Sequence, residues 1–331
     1  RISIVPAPSR IVVIGGGITG VAAAHRLTEL TNQSSTEFVL LEADDRLGGK
    51  IKTSEFGGTQ IDEGADAFLL RTPHAVQLAS EVGIGNELVS PTAASAAIWA
   101  GKLHSIPSDL ALGVPTSLLS IAKSGLIPPI GLVRAAFDLV RPASRLDHDS
   151  IGEWTRNRFG HYVHDRLVDA LVGSIYGADT DRFSLAAVPQ LQTLSQAGRS
   201  AILSGRRMRA SAPAQTGPIF GAPPLGMEQL ITSTIADIQR RGEDRVRIIS
   251  GTPCESLQQA SDGWIVNDLT ADGVILATPA HQSASLVTGN VSTALRSFET
   301  ADVVIVTVRV AAHHWPDHLY GRSGYLVPKS Q

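Results

Sequence analysis

Four consecutive apolar, β-branched residues, Ile11-Val12-Val13-Ile14, come after a short polar arm at the start of the chain. A run that is apolar at every position suits a strand covered on both faces, as in a parallel sheet. Val21 to Leu30 then reads as a strong helix former, and the polar break from Asn32 to Thr36 precedes a second apolar run, Phe38-Val39-Leu40-Leu41. The pattern predicts a βαβ unit. From about Pro91 to Gly205 the texture changes to Leu/Ala-rich segments punctuated by Pro107, Pro115, Pro128-Pro129 and Pro142, which predicts short helices in a separate lobe. Within it, Ser150 to Phe159 has the form of a capped helix. Ser204 to Pro224, rich in Gly, Pro, Ser and Arg, reads as a long loop. Alternating α/β texture then returns: a helix over Met227 to Arg241, and strands at Val246 to Ile249, Trp264 to Val266 and Val274 to Ala277, the last two set off by Asp-Gly turns.

Composition narrows the picture by exclusion. With 331 residues and 43% apolar content, the chain can bury two cores. A net charge of -3 supplies no global field for nucleic acid, so any anion recognition is local. The single cysteine, Cys254, rules out an internal disulfide and a cysteine-based metal cluster, which fits a cytoplasmic setting. Arg1 to Arg10 lacks the form of a secretory signal. The apolar run Leu110 to Ala122 is too short to span a bilayer.

The chemistry starts at Gly15-Gly16-Gly17-Ile18-Thr19-Gly20, a G-x-G-x-x-G sequence between a predicted strand and a predicted helix. A dinucleotide needs a tight turn at Gly15, close backbone approach at Gly17 and close helix packing at Gly20, with phosphate facing the helix N-terminus. Glu42 ends the second strand, where a carboxylate accepts hydrogen bonds from an adenosine ribose. A glycine-rich turn without nucleotide is the plain alternative.

Beyond the second strand the chain reads Glu42-Ala43-Asp44-Asp45-Arg46-Leu47-Gly48-Gly49-Lys50, which resembles the E-A-x-x-R-x-G-G-K segment of the amine-oxidase-like flavoproteins. That resemblance implies FAD, with the basic residues and glycines passing along its diphosphate. Gly64-Ala65-Asp66-Ala67-Phe68 offers small residues that let backbone approach a flat ring. Further along stand Asp149-Ser150-Ile151-Gly152-Glu153-Trp154, Arg158-Phe159-Gly160, Leu171-Val172-Gly173-Ser174-Ile175-Tyr176-Gly177-Ala178-Asp179 and Phe183-Ser184-Leu185. This succession resembles the bacterial protoporphyrinogen oxidases, including those that oxidise coproporphyrinogen III.

The resemblance implies an α/β fold: a Rossmann-like FAD-binding domain, a mixed-sheet substrate domain and an inserted, mainly helical lobe. Its segments would be 1–90 for the FAD domain with the start of the substrate sheet, 91–204 for a lobe facing substrate or membrane, 205–290 for the return to the FAD domain, and 291–331 for further substrate-domain strands. FAD would be held by Gly15, Gly16, Gly17, Ile18, Thr19 and Gly20, by Glu42 and Ala43, by Arg46, Gly49 and Lys50, by Gly64, Ala65, Asp66 and Ala67, and through the backbone by Cys254. The implied activity is oxygen-dependent oxidation of a porphyrinogen in haem biosynthesis, releasing hydrogen peroxide, with no essential general base. Partners would be the porphyrinogen and dioxygen, not nucleic acid, with peripheral membrane contact or hand-off to a ferrochelatase left open. Arg71 is the candidate anchor for a substrate propionate. No metal site is expected, because Pro316 breaks the helical spacing of His314 and His318. Arg206, Arg207 and Arg209 read as a solvated loop. Family members continue for roughly another hundred residues or more, so the chain is expected to be truncated or a fragment of a longer product, and to bind FAD weakly or not at all. Another amine-oxidase-like flavoprotein, or a catalytically silent flavin-binding protein, are the alternative readings.

Overall fold

The computed structural model describes residues 9–31, 34–92, 94–140, 149–196, 198–211 and 217–331. Most of the polar N-terminal arm, Pro142 and residues 212–216 of the Gly/Pro/Ser-rich stretch lie outside these. Two compact units are formed, one by 1–91, 217–300 and 304–309, the other by 92–216, 301–303 and 310–331.

The first unit is built on β1 (Arg10–Ile14), α1 (Ile18–Leu30), β2 (Glu37–Leu41), α2 (Pro73–Glu81), α3 (Glu228–Gly242), β3 (Val246–Ile249), β4 (Gly273–Leu276) and α4 (Ala280–Leu286). The four strands make a parallel sheet in the order β3-β2-β1-β4, with Val12 opposite both Val39 and Val274. Alternation explains why these runs are apolar throughout. Val12, Ile14, Val39 and Leu41 pack on one face with Val266 and Ala271; Val13 and Leu40 pack on the other with Val21, Ala24 and Ile238 of the helices. Between β3 and β4 the chain crosses as an antiparallel meander, Leu257–Ala260, Gly263–Val266 and Leu269–Ala271, which covers the face that the helices leave open.

The second unit centres on helices Leu118–Ser124, Pro129–Ala136, Ile151–Phe159, Pro189–Gln196 and Ala201–Ser211, with a π-helix over His164–Gly173. Ser150 caps the third of these as its spacing predicts, its hydroxyl accepting from the Glu153 N–H. A mixed three-stranded sheet accompanies them: Ser95–Trp99 pairs parallel with Arg322–Leu326 and antiparallel with Leu103–Ser105. No helix among the described residues is long and apolar enough to cross a membrane.

Two expectations need correction. The loop read from Ser204 begins instead as helix Ala201–Ser211. Its Ala201, Ile202 and Gly205 are buried against the lobe, with Arg206 and Arg207 on the outer face and Arg209 paired with Asp109 at 2.7 Å. Non-local packing and a cap from Asp138 hold a segment whose composition argues for a loop. The strands expected over 291–331 reduce to Arg322–Leu326, preceded by helix Gly289–Arg296. Residues 303–306 are β-branched and apolar, yet they form no ladder with any described strand, and Val304 is 85% exposed.

Candidate functional site

A cavity of about 830 Å³ opens in the first unit at the carboxyl ends of β1, β2 and β4. From β1 the chain steps outward to β2 and β3 and then returns to the opposite side of β1 as β4. This is the switch point at which open α/β sheets take ligands.

Each glycine of the turn after β1 has its own cause. Gly15 adopts φ +106°, and a Cβ there would come within 2.9 Å of the Ala277 backbone. At Gly20 a Cβ would lie 1.8 Å from the Gly15 carbonyl oxygen, so helix and turn meet only if that atom is absent. Gly16 is hemmed in by Leu47 and Glu42. Gly17 differs: its φ of -67° and ψ of 177° suit any residue, and nothing lies within 4 Å of its built Cβ. The protein's own packing does not require glycine there, and the space beside its backbone is open. Gly17 is also the N-cap of α1 and offers no side-chain cap, so the first amides of the helix are left for something in the cavity.

Glu42 stands at the end of β2 and accepts hydrogen bonds from the N–H groups of Gly16 and Asp44 through separate oxygens. A carboxylate so oriented keeps further lone pairs for ribose hydroxyls. Its own backbone is tied to Ile249 and Thr252, which carries Pro253 and Cys254 to the cavity wall. Burial pushes the Cys254 thiol above its ordinary value, as suits a packing residue rather than a nucleophile.

The loop after β2 folds back onto the glycine turn. Gly48 donates to the Gly16 carbonyl at 2.8 Å, and a Cβ on Gly49 would come 3.1 Å from Gly17 Cα. Both residues have positive φ, +112° and +56°, which explains the pair of glycines. Arg46 makes its contacts within this loop. Its guanidinium donates to the carbonyls of Leu47, Gly49 and Ile51 and does not line the cavity, because the left-handed turn leaves those oxygens without backbone partners. Arg46 shapes the loop, and Lys50 is the cation on the wall.

Gly15, Gly17, Ile18, Thr19, Glu42, Ala43, Gly49, Lys50 and Cys254 therefore line one cavity, while Gly16 and Gly20 pack within the turn beside it. Gly64 packs against it, since a Cβ there would meet the Lys50 carbonyl at 2.5 Å. Ala65, Asp66, Ala67 and Arg71 do not line it. The opposite wall, Thr278, Pro279, Gln282 and Ser285, was not singled out from the sequence. Its only local signal is the Thr278-Pro279 break after an apolar strand. The open space at Gly17, uncapped helix amides, a ribose-ready carboxylate and one lysine together fit the ADP half of a dinucleotide.

The profile described as "Flavin containing amine oxidoreductase" matches residues 18–331. A coproporphyrinogen III oxidase of Mycobacterium leprae (strain TN) is 34% identical over 284 residues, covering 83% of this chain and 60% of that protein. The protein of the same name from Bacillus subtilis (strain 168) is 31% identical over 290 residues, covering 84% of this chain and 61% of its own length. The chain thus spans about three fifths of the length of these relatives. Among solved structures, a protein from Exiguobacterium sp. 255-15 described as a protoporphyrinogen oxidase superposes with a TM-score of 0.72 at 29% identity, covering 85% of this chain and 61% of that one.

Proposed function

Because the chain belongs to the flavin containing amine oxidoreductase family, we propose that its cavity holds the ADP half of FAD and that the protein oxidises a porphyrinogen, coproporphyrinogen III before protoporphyrinogen IX. The observation that carries this reading is the 34% identity to a coproporphyrinogen III oxidase over 83% of the chain, a stretch that includes residues of both units.

When bound, the flavin supplies acceptance of two electrons at a time from the methylene bridges of the substrate, with dioxygen as the final acceptor and hydrogen peroxide as product. The chain's own part is to bind and orient. The α1 N-terminus and Lys50 meet the diphosphate charge, and Glu42 fixes the ribose. Half-buried Cys254 presents its backbone to the adenine, so replacement of the side chain by another small apolar residue leaves binding intact. Ala65, Asp66 and Ala67, outside the cavity, then belong to the flavin end.

The test is to give flavin-loaded protein each porphyrinogen without oxygen, follow bleaching of the flavin, then admit oxygen and record porphyrin fluorescence. Bleaching by coproporphyrinogen III, faster than by protoporphyrinogen IX, is expected. If neither bleaches the flavin but a primary amine does, the reading gives way to that of an amine oxidase.

Arg71 is exposed just beyond the short strand Phe68–Leu69 and is the cation proposed for a substrate propionate. Arg71→Ala is expected to raise KM about tenfold, the value of one charge-assisted hydrogen bond, with flavin content unchanged. Unaltered steady-state kinetics would remove Arg71 from the substrate site.

A further inference from the structure

Away from the cavity, on the inner face of α1, His25 is 2% exposed. Its Nε2 lies 2.9 Å from Oδ2 of Asp237 on α3. The same carboxylate is paired with Arg240 and Arg241 of its own helix. An ionised Asp237 accepts, so the imidazole donates from Nε2 and carries a lone pair on Nδ1. That lone pair has no hydrogen-bond donor among the described residues. It faces Oε2 of Glu81 on α2, 3.9 Å away. Glu29 stands one helical turn beyond His25 on α1, and one ligand atom from each of His25, Glu29 and Glu81 falls within 4.8 Å of the others.

An imidazole nitrogen and two carboxylates whose ligand atoms converge within 4.8 Å of one another offer three donors to a single cation. Glu81 has no lysine or arginine partner among the described residues; its Oε1 accepts from Gln77 at 2.7 Å, leaving Oε2 for the cluster. Glu29 is bonded to Arg26 through Oε2, and Arg241 stands 3.5 Å from its Oε1, a long contact that a metal ion would replace. Histidine and glutamate at i and i+4 share one helix face, and an imidazole whose other nitrogen is held by a carboxylate is the usual form of a metal-ligating histidine.

We propose that His25, Glu29 and Glu81 form a site for a divalent transition-metal ion, with Zn2+ as its representative and Asp237 orienting the imidazole. One nitrogen and two carboxylates, completed by water, are a suitable set for such an ion. Bound there, it ties α1 to α2 and so steadies the helix whose first turn borders the cavity. The site is independent of the flavin reading, since it needs neither cofactor nor substrate.

The experiment strips the protein with EDTA, titrates it with ZnCl2 by calorimetry and compares melting temperatures with and without Zn2+. Saturation at one ion with Kd of about 10 μM or tighter is expected, together with a rise in Tm. Glu81→Gln carries the test, because Glu81 is 27% exposed on its side chain and its loss spares the buried His25-Asp237 pair; it is expected to weaken Zn2+ at least about tenfold. His313 and His314, side by side on the surface, are the competing chelators, and replacing both with Asn is expected to leave the titration unchanged. No uptake of Zn2+, or uptake that Glu81→Gln does not weaken, overturns the proposal.

Discussion

Gly17→Ala is expected to weaken FAD binding by about 100-fold while costing the fold no more than about 1 kcal/mol, the preference of an N-cap for glycine over alanine. The backbone at Gly17 is in a conformation open to any residue, and its built Cβ meets nothing. The methyl group enters the cavity where a diphosphate must come against the first amides of α1. Loss of one or two charge-assisted hydrogen bonds, each of about 1.5–3 kcal/mol, accounts for the lost affinity. Gly20→Ala is the contrast. There the Cβ falls 1.8 Å from the Gly15 oxygen, so α1 is forced away from β1 and both stability and binding fall. Flavin fluorescence titrations beside urea unfolding read the two quantities separately. If Gly17→Ala binds FAD as tightly as the parent, the cavity does not hold a diphosphate at this turn.

Asp138→Ala is expected to destabilise the helical unit by about 3–5 kcal/mol, as removal of one partner from a buried ion pair does. Asp138 is fully buried, and one of its oxygens lies 2.6 Å from Arg158 Nε. It also accepts from the Ser200 hydroxyl and from the N–H groups of Ala201 and Ile202. One carboxylate thus neutralises the arginine and caps the helix Ala201–Ser211 from a distant segment. Alanine removes one charged partner of the buried guanidinium together with the cap. Asp138→Asn keeps an acceptor but no charge and is expected to fall between the two. A urea midpoint for Asp138→Ala within error of the parent would show that the pair contributes nothing net. Flavin affinity, by contrast, is set in the other unit, so any protein that remains folded should bind FAD normally.

The first βαβ passage was legible in the chain because its causes are local. Apolar runs, a helix former and a glycine turn act over a few residues, and the strand Arg10–Ile14 and helix Ile18–Leu30 lie where the pattern puts them. Ser150 with Glu153 is equally local, a cap closed within one turn. The glycine motif also pointed to a nucleotide-shaped cavity, and Glu42 faces it.

Other features depended on partners that no local window contains. Arg46 reads as a cofactor contact from its charge, yet the left-handed turn at Gly48 and Gly49 turns it toward backbone carbonyls. Ala201–Ser211 is a helix because Asp138, 62 residues away from Ser200, supplies its cap. His25 looks like any helical histidine until the packing of α1 on α3 sets Asp237, 212 residues distant, against its ring. The far wall of the cavity, Thr278 to Ser285, exists only because β4 returns beside β1. The sequence by itself determined the first elements, the glycine turn and the carboxylate that ends β2, all set by backbone conformation and short-range hydrogen bonds. Strand order, the loop role of Arg46 and the convergence of His25, Glu29 and Glu81 were decided by the tertiary structure, because close packing and charge pairing between distant segments are settled only when the chain has folded.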